Sequence, residues 1–283
     1  MTGHTPLEKI LSDDRFLTGA GLVLILLPSW WYLLSGAGID MDPLDSIRFN
    51  LFPYQMTGMN NMMPETADMP GDVSLRYTVI VFTMWWIMMI AMMVPAASPV
   101  ILLYSRIIRH NGLDHYPLPG LSALVFLGGY LVAWMAFSIL ATGMHLILVS
   151  NQWLSMFMLT SNGWLAAGIL FLAGIYQLTP LKHACLDHCR SPVQFITTCM
   201  KPGLSGAFQM GITHGCYCVG CCWVLMLLLF VGGVMNLLWI TLLALFVLAE
   251  KVLPGGQRIS AISGAILVTW SILTLLSLLY NVP

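Results

Sequence analysis

The chain has 283 residues, of which 58% are hydrophobic and 8% charged, with a formal net charge of −1. A soluble globular domain carries about 25% charged residues, so this composition excludes an ordinary water-soluble fold, and the few scattered Lys and Arg offer no basic surface for nucleic acid. With a mean hydropathy of +0.84, the expectation is an all-α polytopic helical bundle, one membrane domain over residues 1–283 with the lipid bilayer as its solvent.

The N-terminal 15 residues mix acidic and basic side chains, and no small-residue cleavage site follows the first apolar run, which therefore reads as a retained span. Hydropathy predicts seven spans, at 16–36, 77–104, 121–149, 163–181, 205–231, 237–249 and 259–279. The fifth and sixth are separated only by the turn Gly232-Gly-Val-Met-Asn236, so six is the competing count. With the N-terminus cytoplasmic, Lys9, Arg15, Arg106, Arg109, Lys182, Arg190, Lys201, Lys251 and Arg258 fall inside, nine of the eleven basic residues. That positive-inside bias supports seven spans with the C-terminus outside.

The predicted outer loop, 37–76, is rich in methionine, including Met56, Met59, Met62 and Met63. Thioethers in a hydrophilic segment gain little from burial, and they are soft ligands suited to Cu(I) where thiols would pair. The same side chains also suit an interfacial loop that dips into lipid headgroups. In the second span Met88 and Met92 recur at helical spacing with Met93 beside them, a stripe that serves equally for adaptable packing or for soft-metal ligation near mid-membrane. Pro95 and Pro99 are expected to kink the inner half of this helix. His145, near the outer end of the third span, reads as a hydrogen-bonded interfacial histidine or as a ligand.

After the fourth span, Cys185, His188 and Cys189 fall on one face of a helical turn, a secondary metal candidate at the cytoplasmic side that lacks the paired spacing of a zinc module. The most distinctive stretch is Gly211 to Met226. If helical, it presents His214, Cys218, Cys221 and Cys222 on one side and turns Cys216 away. Glu250 is expected at the inner edge of the sixth span, paired with Lys251 or reaching for solvent.

Three stretches carry a resemblance: Trp85 to Pro95 with Met88, Met92 and Met93; Thr179 to Pro192 with Cys185 and Cys189; and His214 to Met226, running on to Gly233, Asn236, Glu250 and Lys251. In these the chain resembles a bacterial family of predicted metal-binding integral membrane proteins of undefined activity. The resemblance implies copper bound at these positions, a bacterial cytoplasmic membrane, and a small soluble partner protein or other membrane subunits.

Function is thus expected at a mid-membrane Cu(I) site of Met88, Met92, Met93, His214, Cys218, Cys221 and Cys222, fed by the outer Met loop. A copper-dependent membrane oxidoreductase or oxygenase acting on a lipophilic substrate is the alternative, with Trp85, Trp86, Trp223 and Phe230 shaping an apolar pocket. A thiol oxidoreductase using Cys218 and Cys221 is the third reading.

Overall fold

The structure is a computed structural model that describes residues 14–36, 75–110, 119–154 and 162–280. The Met-rich loop with Met56, Met59, Met62 and Met63 lies outside the described residues. Among the described residues nine helices follow one another: α1 (Asp14–Leu34), α2 (Leu75–His110), α3 (Pro119–Ser150), α4 (Gly163–Gln177), α5 (Pro180–Arg190), α6 (Pro192–Cys199), α7 (Gly203–Gly232), α8 (Leu237–Val252) and α9 (Gly256–Leu279).

Five of these, α1, α2, α3, α7 and α9, are long and apolar enough to cross a membrane. The pair α4–α5 would make a sixth span, bent by 64° at its break. Outward-facing apolar side chains such as Leu24, Trp31, Leu140, Ile147 and Ile262 suit a lipid surround and are compatible with a multi-pass membrane protein. The 16 residues of α8 rise only about 24 Å, short of the roughly 30 Å hydrocarbon thickness.

The fourth apolar run, expected to continue to residue 181, stops at Gln177. Thr179 caps the next helix, its side chain accepting from the Lys182 N–H, and Pro180 occupies the first turn. Proline there preorganises a helix start and forbids continuation of the preceding one. The segment read as a juxtamembrane turn is therefore a helix, α5, laid against α7.

Helix α7 is the hub, packed against α3, α4, α5 and α8. Its closest partner is α3, because glycines remove side chains from the contact: a Cβ on Gly211 would overlap the Phe126 carbonyl, and one on Gly129 would overlap the Phe208 carbonyl. Gly129 and Gly232 thus pack within the chain, Gly232 under the Trp239 ring, whereas Gly128 faces open space. The chain leaves α7 through Gly233, whose φ of 97° favours glycine. Asn236 then caps α8 by accepting from the Leu238 and Trp239 N–H groups. Helix α8 returns antiparallel along α7, and its short length ends it beside the middle of α7.

Candidate functional site

Three helix ends converge on the middle of α7. The last turn of α4 arrives with Tyr176, whose hydroxyl donates to the Gly220 carbonyl and whose ring meets Trp223 edge-on, the centroids 5.6 Å apart. Helix α5 brings Lys182, Cys185 and Cys189. The last turn of α8 brings Glu250 and Lys251.

Cys218 stands at the centre, fully buried. Lys251 donates to its sulfur from 2.8 Å. The Tyr130 hydroxyl lies 3.0 Å from the same sulfur and 3.1 Å from the Met93 carbonyl, and it can give its proton to either. Cys221 and Cys222 both donate back to the Cys218 carbonyl, at 3.1 and 2.8 Å. Cys189, Cys221 and Cys222 are the neighbouring thiols of Cys218. Cys185 packs at the edge of this group, its sulfur over Gly220, where a Cβ would approach it to 3.0 Å.

His214 sits one turn before Cys218 with 1% of its surface exposed. Its ring is enclosed by Phe195, Tyr130 and Phe126 at centroid distances of 5.0, 5.9 and 6.0 Å, and its Nδ1 has no hydrogen-bond partner among the described residues. A buried nitrogen without a partner is costly, and such orphans cluster where a ligand is meant to arrive. Cys216 is exposed, on the far side of α7.

The other anticipated residues divide. Met88, Met92 and Met93 are each fully buried on α2, and Met93 reaches the centre through its carbonyl by way of Tyr130. Cys185 and Cys189 lie beside the Cys218 group. His188 faces away: it is exposed, its ring stacked on Tyr217 at 4.3 Å and its Nδ1 against the Ala184 carbonyl at 2.9 Å. Among the described residues, no three of the His, Cys, Asp and Glu side chains stand as a preformed metal-ligand set.

The charged residues depart furthest from expectation. Glu250 does not pair with Lys251 at a wet edge. It is 1% exposed and holds Lys182, itself fully buried, through two hydrogen bonds of 2.7 and 2.9 Å. Lys182 and Lys251, counted as cytoplasmic loop charges, are both interior, which removes two residues from the positive-inside argument.

Taken together, the described residues define an all-helical protein, with helices suited to crossing a membrane, built round a buried thiol cluster that has a lysine against its central sulfur. The chain belongs to the PpoB2 family, described as copper chaperone, whose model matches residues 82–274. That range takes in α3 to α8, most of α2 and of α9, and every residue of the cluster. No curated protein and no solved structure matches the chain.

Proposed function

We propose that the protein is a Cu(I)-handling protein of the bacterial cytoplasmic membrane, and that copper is its cargo, held by Cys218 together with one or more of Cys221, Cys222 and Cys189. The observation that carries this reading is the Lys251 ammonium against the Cys218 sulfur, with three more thiols around it. Glu250 is engaged by Lys182 through hydrogen bonds, and the Cys218 sulfur is the acceptor against which Lys251 rests. Two thiolates around one Cu(I) leave a single negative charge, and a buried complex of that charge requires a cation beside it. Lys251 supplies that cation from within the fold.

The donor set fits the ion. Thiolate, thioether and imidazole are soft, and Cu(I) is satisfied by two or three such ligands. His214, with its free Nδ1, is the nitrogen nearest along α7, and Met88, Met92 and Met93 are the thioethers on α2. Loading from the outer Met loop, with Met56, Met59, Met62 and Met63 as first captors, and an N-inside topology complete the proposal. The copper oxidoreductase and the thiol oxidoreductase draw no support from a specific contact.

The test is the metal content of detergent-purified protein beside a Cys218→Ser/Cys221→Ser variant, with electron paramagnetic resonance before and after oxidation. Copper lost from the variant and silent in resonance supports Cu(I) handling. A reversible Cu(II) signal transfers weight to the redox enzyme, and equal copper in both proteins overturns the site.

A further inference from the structure

The cluster at Cys218 is one end of a longer interior feature. On α3, Tyr130, Trp134, Ser138, Thr142 and His145 follow one another at steps of four, four, four and three residues, so they lie on one helix face. All are 5% exposed or less. Tyr130 touches Cys218 at one end. His145, at the other, is fully buried, with no partner for its Nδ1 among the described residues.

Two contacts fix the register of α3 against the antiparallel α2. Tyr130 meets the Met93 carbonyl at 3.1 Å, and His145 Nε2 lies 3.4 Å from the Tyr77 hydroxyl. Between those anchors on α2 stand Met84, Met88 and Met92, one per turn and all fully buried. On α7, Phe230 closes the third side, its ring 6.2 Å from His145 and 5.1 Å from Trp85. Ser138 and Thr142 donate to carbonyls four residues back, at 2.9 and 2.8 Å, which leaves their oxygen lone pairs free.

A purely apolar packing layer needs none of these polar groups, and an unpaired imidazole nitrogen is among the costlier things to bury in one. We infer that His145 is a second Cu(I) site, at the far end of a thioether-lined path between α2 and α3 that leads to Cys218; this rests on the reading of Cys218 as the copper centre. In the tautomer that donates Nε2–H to the Tyr77 oxygen, Nδ1 presents its lone pair. A second-shell hydrogen bond on one ring nitrogen orienting the other is the usual arrangement of a metal-binding histidine. Met84, the first methionine of the stripe on the Tyr77 side, supplies the thioether partner. Along the thioethers the ion would move by exchanging one soft neutral ligand for the next; at the cluster the second cysteine releases its thiol proton to solvent as it becomes a thiolate ligand.

The experiment is an anaerobic Cu(I) titration of the full chain in detergent against a chromophoric Cu(I) chelator, for wild type, His145→Gln, Met84→Leu and Cys218→Ser/Cys221→Ser. Wild type is expected to take up about two equivalents per chain, one for each low-coordinate site. His145→Gln is expected to lose one and keep the thiolate-bound ion, and the double cysteine variant the reverse. Unchanged stoichiometry in His145→Gln overturns the second site and leaves the first standing. Loss confined to His145→Gln, with none in the cysteine variant, supports the second site and removes the first. Should His145→Gln lose both equivalents through misfolding, Met84→Leu decides: weakening of one equivalent by about tenfold or more supports the site, and unaltered binding overturns it.

Discussion

Lys251 and Lys182 are two buried lysines with different partners, and the difference predicts different phenotypes. Lys251→Met keeps the volume of the side chain but removes the cation beside Cys218. Copper affinity is then expected to fall about 10- to 100-fold, as for lost outer-shell partners, while Lys251→Arg restores most of it; competition with a chelator reads both. Glu250→Gln leaves Lys182 buried without its carboxylate, a change that costs about 3–5 kcal/mol and that thermal unfolding in detergent will register. Replacing both members of that pair with apolar residues is expected to cost less than Glu250→Gln alone. The shared face of His214, Cys218, Cys221 and Cys222 was legible in the sequence because a helix repeats every 3.6 residues. Lys251, Tyr130 and Cys189 were not legible as parts of the same centre. They come from three other helices, and no local spacing encodes which helix end meets which.

The packing of α3 on α7 depends on backbone approach, so a single methyl group tests it. In Gly211→Ala the added carbon meets the Phe126 carbonyl, and backbone cannot be rotated aside as a side chain can. A destabilisation of about 1–3 kcal/mol, the range for overpacking, is expected, along with loss of copper, because Tyr130 moves with α3. Gly128→Ala, one residue from the contact and facing open space, is the control; it is expected to be neutral or to stabilise by about 0.5–1 kcal/mol through reduced unfolded-state freedom. Thermal unfolding of the two variants side by side checks the pair. Element existence was largely visible in the apolar runs. The break at Thr179-Pro180 was visible only as a proline near a span end, and its consequence depended on what the freed segment could pack against. Cys185 fits α7 where Gly220 leaves room, and that is a fact of tertiary contact.

Across the whole molecule, burial sorts the seven cysteines. Cys216 is exposed, Cys185 and Cys199 are half-buried, and Cys189, Cys218, Cys221 and Cys222 are buried. A lipid-permeant maleimide applied to the folded protein in detergent is expected to label Cys216 first and the four buried thiols only after denaturation; mass spectrometry of the labelled peptides reads the order. Early labelling of Cys218 would contradict the packing described for α5 and α8. At this scale composition alone announced long apolar helices of the kind that suit a membrane. It misplaced the interior charges, because hydropathy treats a lysine beside a loop as a loop residue and cannot see that its partner lies at the end of another short helix.

The ladder on α3 also has an electrical meaning. The 15 steps from Tyr130 to His145 rise about 22 Å along the helix, roughly three-quarters of a 30 Å hydrocarbon layer. A monovalent ion taking the proposed route would cross a comparable share of the membrane field, worth about 1.7 kcal/mol per 100 mV where the whole field is worth about 2.3. With the His145 end outside, a potential negative on the cytoplasmic side draws copper toward the thiols. Delivery along this route would then run on the resting voltage of the cell and slow when that voltage is collapsed.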